Sequence, residues 1–307
     1  MLVNAPLRVL AATFAAALAV AVGAVAAGAA PVRSTAPTLT LGAIPDQDPQ
    51  LLQRLYGLVA TYLSKKLHVD VVYRPVTDYT AAVTGFKVGD LQLVWFGGLT
   101  GVQARAQVPG AQVIAQRDVD EAFHSVFVAS TKSDLKPVAT VRGLAELKGH
   151  SFTFGSDSST SGYLMPEYFL RRAGLDDDSF RGAPGFSGSH DATIALVSAG
   201  SYDAGVLNAQ VWKTRLAAGQ VDTSKIRVVY TSPAFHDYHW LARPDLDRTF
   251  GAGFTRRLRA VLLGIRPTTA AQRQFLTLFG AQRFVPAQPS DYAQIQSIAR
   301  TLGLLHG

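Results

Sequence analysis

Ser151-Phe152-Thr153-Phe154-Gly155-Ser156-Asp157-Ser158-Ser159-Thr160-Ser161-Gly162-Tyr163-Leu164-Met165-Pro166-Glu167-Tyr168-Phe169-Leu170 joins an apolar, strand-like run to an apolar, helix-like run through a cluster of hydroxyls. Ser and Thr favour helix starts because their oxygens accept bonds from the first free backbone N–H groups. The same N–H groups, with the positive end of the helix dipole, make a ready anion site. Three consecutive hydroxyls add donors, so this strand–turn–helix unit suggests a pocket for a small oxyanion. The plain alternative is that the hydroxyls only cap the helix.

The units on either side have the same form. Thr38 to Ile44 reads as a strand, and Asp48-Pro49 opens a helix whose apolar residues recur at three and four (Leu51, Leu52, Leu55, Tyr56, Val59, Tyr62, Leu63, Leu67). Val69 to Tyr73 is the next strand, Asp78 to Val88 a helix, Leu91 to Phe96 a strand, and Gly97-Gly98 turns into another helix. This βαβα order predicts sheets that are mainly parallel and covered by helices. Asp191 to Leu207 repeats the pattern of Tyr79 to Val94: a small-residue helix, a turn with Gly and Asp, then a short buried strand. The expectation is an α/β protein of two similar lobes around a cleft, with ligand beyond the carboxyl ends of the strands. Ser125 to Ala129 and Arg227 to Thr231 are the expected crossing strands. The expected division is residues 38–128 with 232–307 in one lobe and 129–231 in the other.

Composition narrows the function classes. The chain of 307 residues is 48% hydrophobic and 17% charged, which excludes a disordered chain. It has no cysteine, which excludes disulfides, thiolate metal sites and a lipid-modified cysteine. The formal charge of +7 is spread along the chain without a basic block interleaved with aromatics, so nucleic acid is not an expected partner. Residues 1–30 carry one charge, Arg8, and an apolar run from Val9 to Ala30 that ends in small residues. This reads as a signal peptide followed by a linker at 31–37, and so as an exported protein; an uncleaved membrane anchor is the alternative.

Several loops fall at one end of the predicted sheets. They hold Gln47, Tyr79, Trp95-Phe96-Gly97, Ser159-Thr160-Ser161, His190 and Asn208, each before a predicted helix. His190 could give a hydrogen bond or a positive charge to an anion, or simply cap its helix. Tyr79, Trp95 and Phe96 could wall a pocket or pack in a core. His236-Asp237-Tyr238-His239-Trp240 places two histidines three apart but without further ligands, so it reads as cleft wall or hinge and no metal or other cofactor is expected. Gly149-His150-Ser151-Phe152-Thr153 fails the nucleophile-elbow pattern at its last position. A Ser161/His190/Asp203 triad can be written, but no spacing favours it, and no phosphate-cradling Gly-rich motif is present. An enzyme is not expected.

Ser159-Thr160-Ser161-Gly162, Ser187-Gly188-Ser189-His190-Asp191 and Tyr202-Asp203-Ala204-Gly205 resemble the substrate-binding proteins of phosphonate and phosphite ABC transporters. Ile44 to Pro49, Val94 to Gly101 and Phe235 to Trp240 resemble a subgroup described as selenate-binding. The resemblance runs from about Thr38 to Leu305 and implies a bilobed, type II periplasmic-binding fold. It implies that Ser159, Thr160, Ser161 and His190 hold an oxyanion, with Trp95 or Phe96 at the strand end, and that Asp237, beside Tyr238, is the counterpart of an amine-holding carboxylate. It further implies a monomeric receptor that delivers its solute to a permease and an ATPase. The expected ligand is a small tetrahedral oxyanion such as selenate or phosphite, with an organophosphonate as the alternative.

Overall fold

The computed structural model describes residues 37–305; the expected leader lies outside them. The first half runs β1 (Leu39–Ala43), α1 (Pro49–Leu67), β2 (Val71–Tyr73), α2 (Tyr79–Val88), β3 (Leu93–Phe96), α3 (Gly98–Gln107), β4 (Gln112–Arg117) and β5 (Ser125–Ser130). Next come β6 (Phe152–Phe154), α4 (Met165–Arg172), β7 (Gly185–Phe186), α5 (His190–Ala199), β8 (Ala204–Asn208), α6 (Ala209–Ala217) and β9 (Ile226–Thr231). The chain ends with β10 (His239–Ala242), α7 (Leu246–Phe250), α8 (Phe254–Leu263), α9 (Ala270–Phe279), β11 (Phe284–Val285) and α10 (Ala293–Thr301).

The helix starts follow the expected chemistry. Asp48 caps α1 by accepting the Leu51 N–H at 2.9 Å, with Pro49 in its first turn. Asp78 caps α2 through the Ala81 N–H at 2.7 Å. The buried stripe of α1 (Leu52, Leu55, Tyr56, Val59, Leu63) is the one the spacing of apolar residues predicts.

Two sheets result, ordered β11-β4-β10-β3-β1-β2 and β7-β6-β8-β5-β9. They share one plan. Three strands of a βαβαβ run pair in parallel, β2-β1-β3 in one and β7-β6-β8 in the other. Beside them lies a strand that has just crossed from the opposite lobe, β10 or β5, and then a further strand, β4 or β9. The crossing strand runs antiparallel to both neighbours. Both sheets are therefore mixed, where the βα order predicted mainly parallel ones. A strand that enters its sheet from the cleft must run away from it, whereas the strands before the cleft loops run toward it.

β5 pairs only within the second sheet, so the first crossing is residues 118–124, ahead of the expected division that kept 125–128 with the first lobe. The return crossing is 232–238, and the two segments bond to each other through Phe123 and Phe235, N–H to carbonyl in both directions at 2.8 and 2.9 Å. β10 is a central strand of the first sheet, where the sequence suggested only a wall or hinge. α8 and α9 pack on α1, while α10 packs on α3 and on α4 of the second lobe. No helix among the described residues is long and apolar enough to cross a membrane.

Candidate functional site

The hydroxyl cluster begins with Ser159, whose Oγ accepts the Gly162 N–H at 2.9 Å. Leu164 N–H then reaches back five residues to the Ser159 carbonyl at 2.9 Å. The helix therefore starts with a wide π turn, Thr160–Leu164, before α4. Such turns loosen the regular ladder and are common at functional sites. Gly162 permits it: a Cβ there would lie 2.9 Å from Ser159 Oγ and 3.2 Å from the Gly155 Cα. Ser125 Oγ donates to the Ser161 carbonyl at 2.7 Å, which ties the turn to β5 and leaves the Ser161 side chain uncommitted.

Ser161 Oγ, Tyr79 OH and Asp237 Oδ2 are buried with no hydrogen-bond partner in the protein. They come from three separate stretches of chain. Tyr79 OH stands beside Ser159, and Asp237 stands beside Thr160. Asp237 Oδ1 accepts the Gly98 N–H at 2.9 Å, and Thr160 Oγ1 accepts the Leu99 N–H at 2.9 Å. The start of α3 in the first lobe is thus bonded directly to the hydroxyl turn of the second. Gly97 makes the approach possible, since a Cβ there would meet Thr160 Oγ1 at 3.3 Å and Asp237 Oδ1 at 3.4 Å. Buried polar atoms are normally paired, so three unpartnered ones on adjoining segments make this junction the candidate ligand site. Burial pushes the Asp237 carboxyl up to about 7, against the Gly98 hydrogen bond and with help from the Asp120 charge. Burial also drives the Tyr79 phenol well above its ordinary value, so it stays protonated and has a hydrogen to donate. Of the other unpartnered buried atoms, Arg105 Nε and His239 Nε2 belong to side chains packed on Tyr292, and Trp240 Nε1 lies in the aromatic core of the first lobe.

A second group meets at the Tyr238 hydroxyl. It donates to Asp46 Oδ2 at 2.8 Å, accepts from Asn208 Nδ2 at 3.0 Å, and lies 3.4 Å from His190 Nε2. The Asn208 N–H points at His190 Nδ1 at 3.4 Å, which assigns the ring proton to Nε2. Burial pushes His190 down to about 4, so the ring is neutral and brings no positive charge to an anion, one of the two roles it was expected to serve. Asn208 caps α6, its Oδ1 accepting the N–H groups of Gln210 and Val211, while its amide donates to the Tyr238 hydroxyl. Trp95 stacks on Tyr238 at 5.8 Å, with the Arg117 guanidinium over both rings at 5.4 and 4.9 Å. Phe96 is the correction among the aromatics. It packs edge-on against Phe86 in the core, because neighbours on a strand face opposite ways. Gln47 sits at the cleft rim, 3.5 Å from Arg215. Asp203 is held by the Ser151 N–H and Arg181, not by His190, so the triad that could be written is not assembled.

Sequence reasoning missed Asp46, Arg117 and Asp120. Asp46 was visible as part of a strand-end loop, but nothing marked it off from Asp48. No local pattern marked Arg117; in the fold it is buried, forked onto Asp120 at 2.7 Å through both Nε and Nη2. Asp120 in turn accepts the Asp237 N–H on its carbonyl at 3.2 Å and lies 3.4 Å from the Tyr238 N–H. This pair therefore braces the two crossing segments where the site residues leave them.

Residues 41–292 match the family model described as ABC transporter, phosphonate, periplasmic substrate-binding protein. The chain belongs to that family. As a phosphonate-type substrate-binding protein it is a binding component, not an enzyme. Among curated relatives, the probable ABC transporter phosphite binding protein PhnD1 of Prochlorococcus marinus is 49% identical over 273 residues, 89% of this chain and 92% of that one. The phosphate-import protein PhnD of Mycolicibacterium smegmatis is 28% identical, over 64% of this chain and 63% of its own. The crystal structure of Prochlorococcus PhnD1 with methylphosphonate superposes with a TM-score of 0.85 at 48% identity, covering 87% of this chain and 99% of that one. The bilobed fold of this substrate-binding protein is thus shared with a solved relative.

Proposed function

We propose that the protein is the extracytoplasmic receptor of an ABC importer and that its solute is phosphite or a small phosphonate. The convergence of Tyr79 OH, Ser161 Oγ and Asp237 Oδ2 carries this reading. Two hydroxyls donate, and one carboxyl oxygen needs a proton between itself and the guest. The matching solute presents acceptor oxygens and one shareable proton. Phosphite and methylphosphonate monoanions do so near neutrality; selenate and sulfate carry no proton there and would set charge against charge. With Asp237 near 7, carboxyl and ligand share a single proton. The relative named for phosphite and the relative bound to methylphosphonate support the same choice. Phosphate would need a further partner for its fourth oxygen.

An aminoalkyl phosphonate fits less well. Asp46 is committed to Tyr238 and Glu167 to Arg171, which leaves Asp237 alone to face an ammonium. Water is excluded from the closed cleft, so charge-assisted bonds to the anion are strong. Residues 1–30 direct export, the mature protein is a monomer, and a permease with its ATPase receives the solute.

Calorimetry at matched ionic strength tests this with phosphite, methylphosphonate, phosphate, sulfate, selenate and 2-aminoethylphosphonate. Phosphite or methylphosphonate should bind tightest, by about tenfold or more over sulfate and selenate, the size of one charge-assisted bond. Selenate or sulfate in first place would overturn the proton-sharing argument.

A further inference from the structure

Asp191 and Arg215 lie outside the groups that face the solute. Arg215, on α6, forks onto Asp191, at the start of α5, with Nε to Oδ1 and Nη2 to Oδ2 both at 2.7 Å. Both residues belong to the second lobe, and both reach across the cleft. Asp191 Oδ2 accepts the Asp48 N–H at 2.8 Å. Arg215 Nη2 lies 3.5 Å from Gln47 Oε1. The adjoining His190 N–H donates to the Asp46 carbonyl at 3.0 Å. Three successive residues of the loop between β1 and α1 are therefore held by the opposite lobe. Asp48 is also the cap of α1, so this grip acts on the start of a 19-residue helix. Burial pushes the Asp191 carboxyl up, but the Arg215 hydrogen bond and charge outweigh it and hold the group below its usual range. Arg215 also walls an interlobe cavity of about 160 Å³ whose other faces include Asp46, Trp95, Arg117 and Tyr238.

We propose that Asp191 and Arg215 form a closure clasp: positioning residues that set how long the lobes stay shut on the solute without touching it. The bonds from Asp191 and Arg215 to residues 47 and 48 exist only while the lobes are together. They stabilise the closed form whatever it contains, and a shift in that equilibrium multiplies the affinity for every solute by the same factor. Residues that contact the anion act differently, since removing one changes the ranking of solutes. The clasp slows release more than it speeds capture, because it forms after encounter.

The test uses Asp191→Asn, which keeps side-chain size, and Arg215→Gln, which removes the guanidinium fork, with thermal melts to confirm folding. Release of phosphite and of methylphosphonate is followed by stopped-flow tryptophan fluorescence, and the ligand-free radius of gyration by small-angle scattering. Each variant should release both anions about tenfold faster, with on-rates no lower than the parent's and the ratio of the two affinities unchanged, and the double variant should be no worse than either single one. The ligand-free variants should also be more expanded than the parent. Unchanged release rates, or a changed ratio of affinities, would overturn the clasp. The kinetic arm rests on the phosphite and phosphonate reading; the scattering arm does not. Should the parent protein bind neither anion, that reading falls, and the clasp then stands or falls on whether the variants expand.

Discussion

Ser161 separates binding from folding more cleanly than any other side chain here. Its hydroxyl has no partner in the protein, so Ser161→Ala removes nothing the ligand-free fold uses. The expected result is a loss of about 1–3 kcal/mol in phosphite binding by calorimetry, with ligand-free stability equal to or above that of the parent. A fall in ligand-free stability without loss of binding would make Ser161 a structural residue. Asp237 gives a pH signature. Its folded value near 7 lies above the ordinary 3.8, so between those values the folded state holds more protons than the unfolded state. By linkage its contribution lowers stability as pH rises from about 4 to 7. His190, lowered from 6.5 to about 4, acts in the opposite sense, because the unfolded ring takes a proton that the fold refuses. Asp46, raised to about 6, adds to the effect of Asp237, and His239, lowered to about 3, adds to that of His190; the opposed contributions partly cancel, so the comparison needs a variant. Asp237→Asn should show a melting temperature that rises more steeply with pH over this window than the parent, and its preference for phosphite over selenate should shrink. A parent-like pH profile would remove Asp237 as the titrating group.

The π turn at Thr160–Leu164 depends on the absence of a side chain at Gly162. Gly162→Ala places a methyl against Ser159 Oγ and the Gly155 backbone, where only the serine can yield. The expected cost is about 1–3 kcal/mol in urea denaturation, together with loss of detectable binding, because the turn carries Ser161 into place. At the strand ends the period of two sorted the aromatics. Trp95 faces Tyr238 and the cleft; Phe96 faces Phe86 and the core. The junctions were readable because capping is local: Asp48, Asp78, Ser159 and Asn208 each accept bonds within three residues of themselves.

Across the whole molecule, a buried ion pair at the first crossing segment holds the backbone of the second. Arg117 and Asp120 hold each other, Asp120 holds the backbone of Asp237 and Tyr238, and Arg117 lies over the Trp95–Tyr238 stack. Breaking one side of a buried pair leaves an unpaired charge and costs about 3–5 kcal/mol. Asp120→Ala should show a loss of that size in denaturant melts and weaker binding of every anion. A loss below about 1 kcal/mol would mean that the pair is solvated and does not brace the hinge. Ligand at about 100 times its dissociation constant should add ~2.7 kcal/mol to the parent, visible as a rise in melting temperature.

The helices, the order of βα units, the repeated plan of the lobes and the hydroxyl turn were legible in the chain, because each rests on periodicity or capping within a few residues. Four features were not: the antiparallel crossing strands, the central place of β10, the neutrality of His190, and the roles of Asp46, Arg117 and Asp120. Each depends on partners more than a hundred residues away or on burial, and neither leaves a local mark. Asp46 bonds Tyr238 across 192 positions of sequence, and Asp237 bonds Gly98 across 139. Only when the lobes closed did these groups leave water together, and that shared desolvation sets their protonation and their use.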